Sequence, residues 1–386
     1  MVTANIVNKS NTRQRGLPAL LSATIAGMLL AIPALAQADS SGVPLHGFLD
    51  VGYSINSKDS ANPALPGLPN GFNVGSLDFY LTPQIDDHVK GLIELIFENT
   101  PEGTLATDLE RAQIGYTFSD NATLWAGRFH TPYGYFNTAF HHGAQIQTSV
   151  VRPRFLDFED KGGILPAHTV GLWGTGKIRA GGGRFTYDAY AGNGPFIPID
   201  PATGLGVLDM QTGGDNNHQA MVGFNLGYEF AGIADGLRLS VHGLRGDVDD
   251  DSVALNKTEL SMAGGAVVYQ EHNWEIMGEY YRFSDTDKSG STGTHKSWAD
   301  YLQLGRNFSG FTPFVRVEKT VLDQTDMYFN MQDSGQSYFR QALGLKYDIS
   351  QNASLKFELL NSKFADELNR TPYDYRSFLA QYAIRF

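Results

Sequence analysis

One long stretch, 131–167, holds most of the groups that could do chemistry together. It reads TPYGYFNTAFHHGAQIQTSVVRPRFLDFEDKGGILPA. Asp157, Glu159 and Asp160 sit in it with Arg152, Arg154 and Lys161 on either side, and Arg111 and Arg128 lie upstream. Balanced charge of this density either pairs internally to pin a segment or, in a confined aqueous space, sorts ions by sign. His141-His142 has no carboxylate at ligand spacing, so it reads as a loop pair rather than a metal site. Asp247-Val248-Asp249-Asp250-Asp251 lacks the glycine and terminal glutamate of a calcium hand and reads as a surface loop. There is no G-x-S-x-G, no H-E-x-x-H and no glycine-rich phosphate loop before a helix. The sequence therefore points to no enzyme, and no cofactor or metal is expected.

These residues must be positioned by something, and the chain begins with a part that positions nothing. Lys9, Arg13 and Arg15 precede an apolar run from Leu17 to Leu35, which ends in Ala34-Leu35-Ala36 and Ala36-Gln37-Ala38. That is the pattern of a secretory signal peptide spanning 1–38, cleaved after Ala36 or Ala38. Removing it takes away three basic residues and no acidic one. What remains has 26 Lys and Arg against 41 Asp and Glu, a net charge of −15. Such a chain is ill suited to nucleic acid. With no cysteine it has no disulfide framework and no thiolate chemistry.

From residue 39 to 386 apolar residues recur at every second position, the mark of strands with one apolar face. Leu45, Leu49, Val51 and Tyr53 oppose His46, Asp50 and Ser54; Leu77, Phe79 and Leu81 oppose Ser76, Asp78 and Thr82. Val89, Ile93, Leu95 and Phe97 oppose Lys90, Glu94 and Glu98. Thirteen further segments of this kind follow, from Arg111–Phe118 and Thr123–Phe129 through His168–Gly174 and Arg184–Ala191 to Tyr373–Phe386. Tight turns such as Ser119-Asp120-Asn121-Ala122 alternate with long polar loops such as Asn193–Asn217 and Gly246–Lys257. The spacing predicts an all-β fold, a transmembrane antiparallel up-and-down barrel of about 16 strands, with short turns at one end and long loops at the other. The stretch 131–167 is the third long loop, long enough to fold inward.

Parity then assigns faces. Ala112, Ile114, Tyr116 and Phe118 face lipid, which turns Arg111 and Gln113 into the lumen. Reading Trp125, Gly127 and Phe129 as outward places Arg128 inside as well. Two inward arginines would then face Asp157, Glu159 and Asp160 across a narrow zone. Trp125, Trp173, Trp274 and Trp298 fit interfacial girdles. In the last strand Phe378, Ala380, Tyr382, Ile384 and Phe386 alternate to the end of the sequence. Tyr382, Ile384 and Phe386 look like the signal read by the barrel-assembly machinery of Gram-negative bacteria.

The run Arg111-Ala112-Gln113-Ile114-Gly115-Tyr116, the tight turn, Trp125-Ala126-Gly127-Arg128-Phe129 and Pro132-Tyr133-Gly134 together resemble the phosphate-selective porin O and P family. The resemblance lies in residues 109–175 and, in layout only, in most of the mature chain. It implies a sixteen-stranded homotrimeric channel with the third loop inside. The family's lysine-rich funnel has no counterpart here. The expected function is a porin of the Gram-negative outer membrane, passing ions and small hydrophilic solutes through a barrel narrowed by 131–167. The expected partners are those solutes, outer-membrane lipid and lipopolysaccharide (which the acidic 247–251 run would also meet), and the assembly machinery. A non-conducting structural or adhesive barrel and an outer-membrane hydrolase are the alternatives.

Overall fold

The computed structural model describes residues 43–57, 70–99, 104–140, 143–159, 162–199, 206–215, 219–250, 257–290, 292–332, 334–367 and 370–386. The leader, His141-His142, Asp160, Lys161 and Asp251 lie outside them. The strands are β1 (Leu45–Asn56), β2 (Gly71–Leu81), β3 (Val89–Asn99), β4 (Leu105–Ser119), β5 (Ala122–His130), β6 (His168–Ala180), β7 (Gly183–Gly192) and β8 (Met221–Glu229). They continue as β9 (Leu237–Asp249), β10 (Lys257–Glu271), β11 (Trp274–Asp287), β12 (Thr294–Arg306), β13 (Phe311–Val321), β14 (Tyr338–Ser350), β15 (Ala353–Phe364) and β16 (Tyr373–Arg385). Two single-turn helices, α1 (Phe136–Ala139) and α2 (Met327–Asn330), fall in the loops after β5 and β13.

Each strand pairs antiparallel with the next, and β16 returns to β1, so the sheet is a closed sixteen-stranded barrel with no free edge. Ile114, Phe118, Val222, Leu343 and Leu359 are exposed on one face. Asp78, Glu94, Asn225, Lys356 and Glu358 are buried on the other. An apolar outer surface around a polar-bearing interior is what a membrane barrel requires.

Closure depends on the chain's last residues. The register runs from Phe48 opposite Arg385 to Asn56 opposite Ser377. The amides of Gly47 and Phe386 each donate to the other's carbonyl at 3.0 Å. The Phe386 ring meets Phe79 of β2 edge-on, with centroids 5.9 Å apart. Phe386→Ser is therefore expected to lower the yield of folded barrel in cells and leave the pore of the folded fraction unchanged. The heat-modifiable fraction on a gel measures the first, single-channel recording the second. An undiminished yield would show the terminal aromatic to be incidental.

Several sequence-based expectations are corrected. Asp247 and Asp249 belong to β9 rather than to a loop. Their carboxylates bind lysines, Asp247 with Lys257 at 3.2 Å and Lys288 at 2.5 Å, and Asp249 with Lys257 at 2.8 Å. β5 has the opposite parity to that expected. It pairs Gly115 with Trp125, Tyr116 with Leu124, and Ala112 with Arg128, and Leu124 is exposed while Phe129 is fully buried. Trp125 and Trp173 stack on the inner face at 6.3 Å instead of joining a girdle. The rule that apolar residues point to lipid fails here because this barrel also has an apolar inner face. Phe129, Tyr190, Met262, Tyr281, Phe283, Tyr301 and Phe364 all point inward and are covered.

Candidate functional site

What covers that inner face is the segment 131–167. Its base is closed by Thr131 N donating to Ala167 O at 2.8 Å, so both ends leave the wall at one place. Tyr133, Phe136, Phe155, Leu156, Ile164 and Leu165 are buried in one cluster with the aromatic strand residues above. Each such side chain removed from water contributes about 1.5–3 kcal/mol. The loop after β13 joins the same cluster. Tyr328 Oη donates to Ile164 O at 2.8 Å, and Phe329 packs edge-on against Phe283.

Carboxylates on the buried face hold the segment's backbone. The first amides of α1 have no partner within the helix. Glu279 of β11 accepts them, Tyr135 N at 2.8 Å and Phe136 N at 2.7 Å, along with the hydroxyls of Tyr281 and Tyr301. Glu358 of β15 accepts Val150 N at 2.6 Å, and Glu318 of β13 accepts Arg154 N at 2.8 Å. Arg316, fully enclosed, bridges these acids at 2.9 Å to Glu318 and 3.4 Å to Glu358, and donates to the carbonyls of Val151 and Arg152. Lys356 donates to the carbonyls of Ala144 and Ser149. Amides meet acids and carbonyls meet bases, so the charges are satisfied without water.

Asp160 and Lys161 lie outside the described residues, and the other residues singled out from the sequence each have contacts of their own. Arg111 does face inward and binds Glu94 of β3. Arg128 lies in register with Ala112 and Val170, on the face of exposed Leu124 and Leu172. It donates to the carbonyls of Glu110 and Gln211. Arg152 is buried within its own loop, donating to Leu156 O, Phe140 O and Asn137 Oδ1 with its guanidinium 4.5 Å from the Phe158 ring. Arg154 is buried over the Phe364 ring. Asp157 accepts the Phe158 amide. Glu159 accepts the amides of Ala167 and His168 at 2.7 and 3.2 Å. Burial would raise the Glu159 carboxyl, but the neighbouring His168 and these amides hold it below the usual value. His168 also reaches Glu110 at 2.5 Å. Most of these charges fasten the loop.

A group of accessible inner charges lies at the short-turn end. A cavity of about 850 Å³ is bounded there by Tyr135 of the loop, Arg179, Arg184, Glu229, Arg238 and Gln270. Arg179 is opposite Arg184, Arg184 opposite Glu229 and Glu229 opposite Arg238, so the four side chains form one row across β6–β9. Glu229 is shared: Arg184 Nε donates to it at 2.6 Å, and Arg238 Nη1 lies 3.4 Å away. The Arg238 guanidinium sits 5.6 Å from the Tyr135 ring, and Tyr135 Oη donates to Gln270 at 2.9 Å. Lys177 lies two residues along β6 from Arg179, exposed on the same face. Counting Lys177, four cations on this face stand against Glu229 in the row, Asp235 at the cavity and Asp188 beside Trp173, a surplus of one positive charge in a chain whose net charge is −12. The sequence held the signal: Thr175, Lys177 and Arg179 alternate with Gly174, Gly176 and Ile178. Ending β6 at Gly174 rather than Ala180 hid it.

No protein-family model matches the chain, and no curated protein matches it by sequence. Solved structures do match in shape. An anion-selective porin from Comamonas acidovorans aligns over 89% of this chain and 99% of its own, with TM-score 0.60 and 13% identity. The outer membrane channel DcaP of Acinetobacter baumannii aligns over 90% and 99%, with TM-score 0.57 and 12% identity. The trimer form of OmpT, an outer membrane protein of Vibrio cholerae, aligns over 90% and 100%, with TM-score 0.56 and 10% identity. At these identities the likeness is one of fold: the chain has the barrel fold of outer-membrane porins.

Proposed function

We propose that the protein is a porin of the Gram-negative outer membrane, a passive channel for small hydrophilic solutes with a preference for anions. The observation that carries this is the basic row Arg179–Arg184–Arg238, which faces the interior of a closed barrel whose outer face is apolar. On this reading 131–167 lies inside the lumen and narrows it, with Tyr135 forming part of the wall opposite the arginines. The resemblance to the phosphate-selective porin O and P family supports a porin in general, and with the lysine-rich funnel missing it does not bear on the solute. The leader 1–38 directs export, the last strand is read by the assembly machinery, and three copies form the working unit. The trimer form of the Vibrio cholerae protein supports that last point by analogy of fold.

The test is reconstitution in a planar bilayer with a potassium chloride gradient. The reversal potential should lie on the anion side. Arg179→Gln with Arg238→Gln should move it toward cations, leaving Arg184 to neutralise Glu229. A unit charge interaction in water at 4 Å is worth about 1 kcal/mol, which bounds the change near fivefold in permeability ratio per charge. A reversal potential that stays put in the double variant would remove the row from selectivity.

One observation favours a second reading, a plugged and non-conducting barrel. Two loop segments, 131–167 and the one carrying α2, pack in one aromatic cluster with inward-pointing strand residues. Absence of conductance from correctly folded, membrane-inserted protein would decide for the plug.

A further inference from the structure

Most charges of 131–167 have partners, and Arg154 stands apart. It is 6% exposed, and its guanidinium lies over the Phe364 ring at 5.2 Å. Among the described residues no acceptor meets its Nε or Nη2, and both atoms are enclosed. Those two nitrogens make up one edge of the group, whose parallel N–H bonds match two oxygens of a carboxylate or phosphate. A buried carboxyl can shed its charge by taking up a proton, but an arginine cannot lose its own. Leaving such donors unmet is costly, so the edge calls for an acceptor. Gly162 closes over the same group. A Cβ there would stand 3.1 Å from Nη2, on a backbone whose φ of +103° suits glycine.

A second unmet group lies beside it. The Tyr373 hydroxyl of β16 is enclosed without a hydrogen-bond partner among the described residues. Its ring stacks at 4.2 Å on Phe364, the ring that Arg154 covers. The cations acting on that hydroxyl are Arg154, Arg340 and Arg370. Two of them are already engaged. Arg340 donates to Ser362 Oγ at 2.9 Å and Tyr375 Oη at 2.7 Å, and Arg370 to the carbonyls of Phe329, Asn330 and Gln332. The acids of this region are committed too. Glu318 and Glu358 bind Arg316, Glu367 accepts the Ser337 amide, and Asp157 accepts the Phe158 amide and acts on Arg340. These four acids match Arg154, Arg316, Arg340 and Arg370 in number, so what is missing is an acceptor rather than net charge.

We propose that an oxyanion, a carboxylate or a phosphate, is held between the Nε–Nη2 edge of Arg154 and the Tyr373 hydroxyl, and that it fastens the middle of 131–167 to β16. Arg154 belongs to the loop and Tyr373 to the wall, so one bound ion ties the two together. Tyr373 and Tyr375 keep part of their surface exposed, which gives the ion its way in. The site lies at the long-loop end, at the opposite end of the barrel from the row Arg179–Arg184–Arg238. It is a fastening for the loop rather than a station for a passing solute, and it holds whether or not the barrel conducts.

The test uses the mature protein folded in neutral detergent and Tris buffer. Thermal unfolding reads its stability, and chymotrypsin cleavage near Phe155 reads the loop. Sodium phosphate, acetate and chloride are titrated in the millimolar range at constant ionic strength. Phosphate or acetate should raise the melting temperature and slow cleavage, each with saturation. Chloride, one atom for two donors, should do less. Whichever oxyanion acts at the lower concentration names the class. Arg154→Gln should weaken the response on the order of a hundredfold, the size of two charge-assisted hydrogen bonds. Tyr373→Phe keeps the ring and should weaken it about threefold to tenfold, the size of one neutral bond. Should Arg154→Gln fail to fold, Tyr373→Phe and the anion series on the wild type still decide. Equal responses of wild type and Tyr373→Phe, or no difference between oxyanions and chloride, overturn the proposal and leave the edge to an enclosed water. Arg179→Gln with Arg238→Gln should respond as the wild type does. A response lost in that variant would place the ion in the short-turn cavity and overturn the proposal as well.

Discussion

Arg316→Met is expected to destabilise the barrel by about 3–5 kcal/mol and to free the middle of the 131–167 segment from the wall. The size follows from what the change leaves behind. Arg316 and its two acids have no solvent exposure at their side chains. Without the guanidinium, Glu318 and Glu358 become two buried negative groups facing one another. What remains to them is loop amides, the Tyr338 hydroxyl, which donates to Glu318 at 3.0 Å, and the more distant charges of Arg340 beside Glu318 and Lys356 beside Glu358. An uncompensated buried charge is among the few causes of so large a loss. The carbonyls of Val151 and Arg152 lose their donors at the same time. Thermal unfolding in detergent, with chymotrypsin cleavage near Phe155 as a probe of the loop, measures both effects. Adding Glu318→Gln and Glu358→Gln to Arg316→Met should recover most of the stability, since removing the whole set removes the stranded charge. If Arg316→Met alone melts with the wild type and resists cleavage, the hub does not hold the loop.

That hub was not legible in the sequence, although its parts were. The alternation of Leu355, Phe357 and Leu359 with Lys356 and Glu358 gave the two faces of β15 correctly, and the same pattern placed all sixteen strands. Period-two alternation needs only local residues to be read, and closure follows from the cost of an unpaired strand edge in lipid. Partner identity is different. Glu358 meets Val150, and Glu279 meets Tyr135, across more than a hundred residues that no periodicity links. The inverted parity of β5 has the same root. Trp125 and Phe129 are apolar whether they meet lipid or the loop's aromatic cluster, and the sequence does not say which solvent an apolar face finds. Charges in 131–167 were visible as a group, but their task depends on burial. Arg152, enclosed by Phe136, Phe158 and three acceptors, is a fastening inside a loop. Arg179 is exposed at the cavity and, on the porin reading, is placed to meet a solute.

Deleting Phe140–Asp160 and rejoining the ends through a short glycine-serine linker is expected to raise single-channel conductance severalfold. The two ends of the segment already lie side by side, joined by Thr131 N to Ala167 O and by the Thr131 and Thr169 hydroxyls at 2.8 Å. The linker joins Ala139 to Lys161 within a loop whose base is thus already closed, and closing a short flexible loop costs little. The deletion removes Phe155 and Leu156 from the cluster but keeps Tyr135 and Phe136, so Glu279 retains its amides. It keeps the Arg316, Glu318 and Glu358 side chains, which separates it from Arg316→Met, but removes the Val150, Val151 and Arg154 amides and the Val151 and Arg152 carbonyls that they bind, and the Ala144 and Ser149 carbonyls on Lys356. The stability loss should therefore combine lost apolar burial with lost hydrogen bonds to buried charges. The basic row at the short-turn end stays intact, so a wider pore should discriminate less strongly between anions and cations without reversing its preference. Conductance and reversal potential recorded on the same channels test both statements. Unchanged conductance would mean that the segment lies outside the path of the ions and that the narrowest zone is elsewhere. Conductance appearing only in the deletion, from a silent wild type, would identify the segment as a plug.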